Sequence, residues 1–425
     1  MKILDYFELE KNNTTVSKEL LAGLTIFIAM IDNIAINATI MHDAGMPMGA
    51  LITATIFITI FATLLTGLWA NTPIAMSVGT LNVYFTYSLV LGMKMSWQSA
   101  LGIVFVSSVL YFLIAITPIR KWIIETIPMD IKRATAAGIG AFIAFIGLEE
   151  IGVITASHET FVKLGDLSNT YTLLGIFGLL VAIILSILKV RGALILAIII
   201  TTILSWVLGV TNMPAEFISM PASMAPISFQ IDIKSILELS MLPLIITFLV
   251  TDIFSTIGNL AGIGLKINLS NKKLDRTLQT DAFSTIVSAI VGMASITTFI
   301  ESMAGIKEGG RTGLTAVFTA MFFILPLFFL PFFESIPGFA VYPILVIVGS
   351  FMFNELKNVN YDDYATKYAT FFIVLLMPLT YSITNGLMIG SFIYVLIKLF
   401  QRDFSVLKSA MSLMALVAIV LFFVL

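Results

Sequence analysis

Apolar runs of about 20 residues, each long enough to cross the hydrocarbon core of a bilayer, recur from residue 20 to the C-terminus. Inside that core no water meets a backbone N–H or C=O, so segments of this kind fold as helices that satisfy their own backbone. The composition agrees. Only 11% of residues are charged and mean hydropathy is +1.04, against about 25% charged in an average soluble domain. The expected fold class is an all-α polytopic membrane protein with the lipid bilayer as its surroundings, leaving no soluble domain of useful size.

The expected spans are 20–41, 48–69, 73–91, 99–118, 134–154, 172–188 and 192–210, followed by a polar outer loop over 211–235. The second series runs 236–264, 277–294, 296–306, 312–333, 339–356, 368–383 and 386–400, which makes fourteen transmembrane segments in two groups of seven. The corresponding regions are an N-terminal tail (1–19), a first repeat (20–210), the outer loop, a second repeat (236–401) and a C-terminal apolar segment (402–425) whose run over 407–425 could span or lie at the interface. The tail is polar and mixed in charge (Asp5, Glu8, Glu10, Lys11, Glu19), unlike a cleaved signal peptide. With the N-terminus in the cytoplasm, Lys94, Lys163 and Lys234 fall on the outer face and every other lysine and arginine on the cytoplasmic face. So strong a bias supports both count and orientation, and reads the clusters Arg120, Lys121, Lys132, Arg133 and Lys266, Lys272, Lys273, Arg276 as topology signals. A multi-pass protein of the cell membrane is expected.

Seven spans per group place the second group upside down relative to the first, the 7+7 inverted repeat of many secondary transporters. Two segments in matching positions look broken: the third, with Pro73, Ser77, Gly79, Thr80 and Asn82, and the tenth, with Ser295, Thr297, Thr298, Glu301, Ser302 and Gly305. Free backbone groups in broken segments are tolerated where they line a cavity. An offset of about 220 residues sets Ser77 on Thr297 and Asp32 on Asp252.

An ionisable side chain in hydrocarbon is costly and normally faces a partner, a cavity or a solute. Asp252 and Glu301 are therefore the leading candidates. Asp252, Ser255, Thr256 and Asn259 follow the i, i+3, i+4, i+7 spacing of one helix face. Glu301 opens the half-helix after an extended stretch, where free N–H groups are also available, and is the first candidate for ligand contact and proton coupling. Thr280, Ser284 and Ser288, four apart, read as close helix packing. Gly309-Gly310-Arg311 lacks the strand before it and the Lys-Ser/Thr after it that a phosphate loop needs, and reads as a turn at the cytoplasmic surface. The chain has no cysteine, and His42 and His158 fall in expected loops, so neither a disulfide nor a metal site is expected.

At these residues the sequence resembles the AzgA-like purine permeases, a branch of the nucleobase:cation symporters related to the xanthine/uracil permeases. The most specific match is Thr297 to Val317 (TTFIESMAGIKEGGRTGLTAV); further echoes are Leu21 to Thr25, Leu81 to Phe85, Ala137 to Gly140, Phe142 to Leu148 and Met377 to Ser382. The resemblance implies core and gate domains with a base bound between them, beside the broken third and tenth segments. By position, Glu301 corresponds to that family's substrate-binding glutamate, Asp252 to the first aspartate of its eighth span and Asn82 to its third-span asparagine. It further implies uptake of adenine, guanine or hypoxanthine by proton symport, with Na⁺ as the alternative coupling ion, no other cofactor, no nucleic-acid partner, and often a homodimer.

Three departures stand out. Ser255 occupies the place of the family's second eighth-span aspartate, Ile31-Asp32-Asn33 replaces a run of Ala-Tyr-Ile, and Glu149-Glu150 replaces an amide pair. Asp32 is therefore expected to supply a carboxylate to the cavity in place of the missing acid. The expected substrate-binding set is Glu301, Asp252, Asn82, Thr298, Ser77, Ser255 and Thr256, and the expected proton-coupling set is Glu301, Asp252 and Asp32. An anion transporter of the same fold is the rival reading, disfavoured because acids would repel its solute. A membrane enzyme or sensor is the other, and the sequence offers it no Ser-His-Asp set, metal cluster or soluble domain.

Overall fold

The computed structural model describes residues 6–79, 81–117, 126–157, 160–190, 192–267 and 269–424; Thr80, Arg120, Lys121 and His158 lie outside them. The chain runs through α1 (Val16–Met30), α2 (Asp32–Asp43), α3 (Met48–Leu65, continued by a π turn over Thr66–Ala70), β1 (Met76–Val78), α4 (Leu81–Gly92), α5 (Trp97–Ala115) and α6 (Met129–Glu150). A hairpin of β2 (Ile154–Ser157) and β3 (Phe161–Leu164) precedes α7 (Thr170–Ile187) and α8 (Ala193–Val207). After a long irregular connection come α9 (Leu242–Ile267), α10 (Asn271–Ile290), β4 (Ile296–Thr298), α11 (Ser302–Lys307), α12 (Gly313–Phe322) and α13 (Leu330–Glu334). The chain ends with α14 (Gly338–Phe353), α15 (Tyr364–Leu379), α16 (Ile383–Phe400) and α17 (Ala410–Val424). Among the described residues, seven helical stretches are long and apolar enough to cross a membrane, and several shorter apolar helices accompany them.

The structure departs from the expected boundaries for local reasons. The first helix starts at Val16, four residues early, because the Thr15 hydroxyl accepts from the Lys18 N–H and caps it. It then breaks at Ile31, so that Asp32 opens a second helix. The expected span 312–333 divides into α12, a 3₁₀ turn and α13, since Pro326 and Pro331 cannot continue the hydrogen-bond ladder of a preceding turn. The extended stretches expected in the third and tenth segments pair as antiparallel strands, β1 with β4, and the β2–β3 hairpin is an addition that the all-α expectation did not include.

All six residues of the β1–β4 pair are buried. Ser77 lies opposite Thr297, flanked by the pairs Met76–Thr298 and Val78–Ile296. Gly79 N–H donates to Ser295 C=O at 3.0 Å and Phe299 N–H to Ala75 C=O at 3.0 Å, so each break supplies the partners that the other needs. Threonine hydroxyls complete the outer edges. Thr63 on α3 accepts from Met76 N–H (3.1 Å) and donates to Met76 C=O (2.9 Å), and Thr285 on α10 accepts from Ile296 N–H (3.3 Å), its own hydrogen shared between Asp281 C=O (3.1 Å) and Ile296 C=O (3.4 Å). A hydroxyl can serve both roles at once, and here one hydroxyl per edge replaces a neighbouring strand.

Helix packing is closest at glycines, which let backbones approach. An added methyl at Gly23 on α1 would lie 2.7 Å from Phe318 Cβ, one at Gly67 2.7 Å from Gly313 C=O, and one at Gly305 2.6 Å from Ala22 C=O. These contacts tie α1 and α3 to α11 and α12, while α10 packs on α3 and α5. In a second group, methyls at Gly140, Gly147 and Gly138 on α6 would lie 2.6 Å from Gly349 C=O, 2.8 Å from Tyr342 C=O and 2.6 Å from Met377 Sδ. Those contacts tie α6 to α14 and α15, with α7, α8 and α16 packed alongside. None of these six contacts crosses from one bundle to the other.

The Gly309-Gly310-Arg311 segment forms a turn, with Gly309 at φ 106°. Its surroundings add what the sequence did not suggest. Glu19, fully buried, accepts from the backbone N–H groups of Arg311 (3.0 Å) and Thr315 (3.0 Å) and from the Thr315 hydroxyl, so a carboxylate on α1 caps α12.

Candidate functional site

A cavity of about 160 Å³ lies between the two bundles, against the β1–β4 pair. From the first bundle, Asp32, Asn37, Asn82, Ser255, Asn259 and Glu301 line it; from the second, Leu194, Leu345, Val348 and Met352. Asp32 reaches it because the break at Ile31 places it on the first turn of α2. Glu301 precedes α11 without capping it and lines the cavity. Two carboxylates thus share one small space.

Hydrogen bonds fix the amides around them. Asn82 Nδ2 donates to Asn37 Oδ1, and Asn37 Nδ2 donates to Val78 C=O at 3.1 Å, which anchors both to β1. Asn82 Oδ1 is buried beside the cavity with no hydrogen-bond partner. Asn259 Nδ2 donates to Thr298 C=O at 2.5 Å, holding α9 to the extended strand. An unpaired buried acceptor next to two carboxylates is suited to a solute that brings N–H donors.

The polar stripe of α9 divides in two. Ser255 and Asn259, four apart, line the cavity, and Ser255 Oγ lies 3.2 Å from Thr297 Oγ1. Asp252 and Thr256, also four apart, turn toward α10 and are not among the lining residues. This corrects the expectation that Asp252 and Glu301 share one cavity, because the rotation between the two rows carries Asp252 behind β4. Asp252 accepts from Ser295 Oγ at 2.5 Å. Thr256 Oγ1 donates to Asp281 Oδ2 at 2.7 Å, and Tyr111 donates to the same oxygen at 2.9 Å. Ser77 likewise turns away, to Thr59 at 2.7 Å, whereas Thr297 and Thr298 contribute to the cavity wall.

Asp281, fully buried on α10, is the residue that sequence reasoning missed. The rule that singles out Asp252, an acid within an apolar run, applies to it equally. Its Oδ1 has no hydrogen-bond partner. Thr256 Oγ1 lies 3.1 Å from Thr297 Oγ1, so hydroxyls connect the cavity wall to Asp281. Among the described residues, no group of three or more His, Cys, Asp or Glu side chains is arranged to hold a metal ion. Glu149, at the far end of α6, accepts from Tyr381 at 2.9 Å and takes no part in the cavity.

A helical membrane chain with a solute-sized cavity at two broken segments has the architecture of a transporter. Comparison with known proteins gives the family: its sequence pattern, that of the xanthine/uracil permeases, matches residues 17–389. The chain belongs to this permease family, whose members are transporters and not enzymes. A permease of Methanocaldococcus jannaschii is 40% identical over 407 residues, covering 94% of this chain and 93% of its own. The guanine/hypoxanthine permease PbuO of Bacillus subtilis is 34% identical (92% and 94% covered), and the adenine permease AdeP of Escherichia coli 33% identical (92% and 89% covered). Among solved structures, the transmembrane domain of the cyanobacterial bicarbonate transporter BicA superposes with a TM-score of 0.64 at 14% identity, over 86% of this chain and 95% of that domain. That likeness shows the fold.

Proposed function

We propose that this permease imports a purine nucleobase by proton symport, alternating access to the cavity between its two bundles. The observation that carries the reading is the pairing of Asp32 with Glu301 around one small cavity, with the free Asn82 oxygen beside them. Two carboxylates so confined are compatible when a proton, a cation or N–H donors stand between them. A purine supplies a flat apolar face for Leu194, Leu345 and Val348 and N–H groups on its edge. The cavity volume lies below the roughly 300–1,000 Å³ of pockets for drug-sized ligands, in keeping with a free base rather than a nucleoside.

In this reading the fourteen spans form an inverted repeat, with a core bundle carrying the polar wall and a gate bundle carrying the apolar one. The opposed Ser77 and Thr297, matched by the offset of about 220, and the matched edge hydroxyls Thr63 and Thr285 support it. The N-terminus faces the cytoplasm of a cell-membrane protein. Asp32 stands in for the acid absent at Ser255, and protons reach Asp252 and Asp281 behind β4 through Thr297 and Thr256. Substrate and proton must favour the same closed state to be coupled. The fold neighbours raise an anion as the rival solute, but carboxylates on the cavity would repel it.

The test is uptake of radiolabelled adenine, guanine and hypoxanthine in cells lacking their own purine carriers, with and without a protonophore. Accumulation that collapses with the protonophore and is abolished in Glu301→Gln is expected. Wild-type accumulation by that variant sinks the assignment.

A further inference from the structure

Among the described residues, the side-chain hydrogen bonds that cross between the two bundles gather at one end of the cavity. Asp43, the last residue of α2, accepts through Oδ2 from Tyr87 on α4 (2.6 Å) and from Tyr342 on α14 (2.7 Å). The Tyr84 hydroxyl on α4 bonds the Thr384 hydroxyl on α16, and Ser88 Oγ donates to Tyr381 C=O at 2.9 Å. Tyr381 belongs firmly to the second bundle: it is held by Glu149 and stacks edge-on with Phe142 at 5.7 Å. Asp43, Tyr84 and Ser88 thus bond the first bundle to the second, while Tyr87 stays on the first and holds the Asp43 carboxylate in place.

We infer that Asp43–Tyr342, Tyr84–Thr384 and Ser88–Tyr381 form a latch that closes this end of the cavity and must open for solute to pass. The end is the outer one in the orientation proposed above, and the inference rests on the alternating-access reading. Three features fit a latch better than general packing. The bonds run between bundles whose closest backbone contacts are internal. They are directional and use hydroxyl and carboxylate groups that water can satisfy once the bundles part, so opening leaves no orphaned groups. Ile40, on the cavity wall, lies three residues before Asp43 on the same helix, so the latch stands directly over the cavity.

The absence of cysteine gives a clean assay. With Ile40→Cys as reporter in intact cells, a membrane-impermeant maleimide added outside reads opening of this end without any substrate. Adding Tyr342→Phe removes a bond to a carboxylate and is expected to speed labelling by about tenfold. Ser88→Ala, a milder change that serves if the first variant misfolds, is expected to speed it a few-fold. Labelling unchanged in the variants that reach the membrane overturns the latch, as does acceleration seen only in inside-out vesicles. Uptake distinguishes the two proposals: expected labelling in a chain that carries no purine keeps the latch and removes the substrate reading, and purine uptake with unaltered labelling does the reverse.

Discussion

The cavity wall from α2, β1, α4, α9 and β4 carries carboxylates, amides and hydroxyls, with Asn37 and Asn259 bonded to extended backbone and Ser255 to the Thr297 hydroxyl. The wall from α8 and α14 presents Leu194, Leu345, Val348 and Met352. A polar network works at fixed distances and angles, whereas apolar contact is non-directional and survives a shift. In the alternating-access reading proposed above, this difference assigns recognition to the first bundle and the sliding surface to the second. It also explains why β1 and β4 are so fully tied, with strand bonds on one side and a threonine hydroxyl on each outer edge.

The largest expected effect comes from exchanging one group on each wall. Glu301→Gln should abolish proton-driven accumulation, while Val348→Ala should raise the apparent KM about tenfold and leave accumulation intact, since a buried methyl group in a hydrophobic pocket is worth about 1–3 kcal/mol. Radiolabelled uptake at graded substrate concentration reads both. A Val348→Ala loss as complete as that of Glu301→Gln would break the division between walls.

Next in size is a test of bundle rigidity. Gly140→Val introduces a side chain whose first carbon would meet Gly349 C=O at 2.6 Å, and overpacking of this kind costs about 1–3 kcal/mol. The purified variant should melt several degrees below the parent. A substitution absorbed without cost would show that α6 and α14 slide on one another, so that the second bundle is not one body.

Asp32→Asn should act more narrowly. It keeps the size of the side chain and removes one of the two cavity acids, so uptake should persist with an altered order of preference among adenine, guanine and hypoxanthine and an altered pH profile. Competition assays across pH 5 to 8 read the change. An unchanged order and profile would remove Asp32 from recognition and coupling, leaving Glu301 alone.

The polar wall was far more legible in the sequence than the apolar one. Asp32, Asp252 and Glu301 announce themselves because an acid in an apolar run is expensive, and the offset between halves already set Ser77 opposite Thr297. Helical spacing could place Asp252 and Ser255 on one broad face, but it could not show that the Ser255–Asn259 row lines the cavity while the Asp252–Thr256 row meets Ser295 and Asp281. Asp281 escaped because α10 begins at Asn271 with a polar first turn, which makes an acid ten residues later look like the edge of a span. Leu194, Leu345 and Val348 carry no signal, since a cavity-facing aliphatic residue has the same chemistry as a lipid-facing one. Thr63 and Thr285 resemble the many threonines that bond their own helix.

The smallest expected effect separates a polar contact inside a bundle from those across the seam. Asp363 accepts from the Thr366 N–H (3.1 Å) and hydroxyl (2.9 Å), capping α15, and pairs with Lys398 on α16 at 3.2 Å. Partial burial acts to raise its pKa, but the Thr366 hydrogen bonds and the Lys398 charge outweigh it and hold the carboxyl below its usual value. A depressed folded-state pKa gives stability that is present above the unfolded value near 3.9 and fades as pH falls through the folded one. Asp363→Ala should therefore cost about 1 kcal/mol at neutral pH, a difference that narrows in acid. Asp363→Asn, which can still cap, should cost only a few tenths, the low end for an ion pair at the protein surface. Neither should change the rate at which an Ile40→Cys reporter is labelled, because the bond ties α15 to α16 within the second bundle. A labelling change as large as that of Tyr342→Phe would mean that the second bundle deforms during opening rather than moving as one piece.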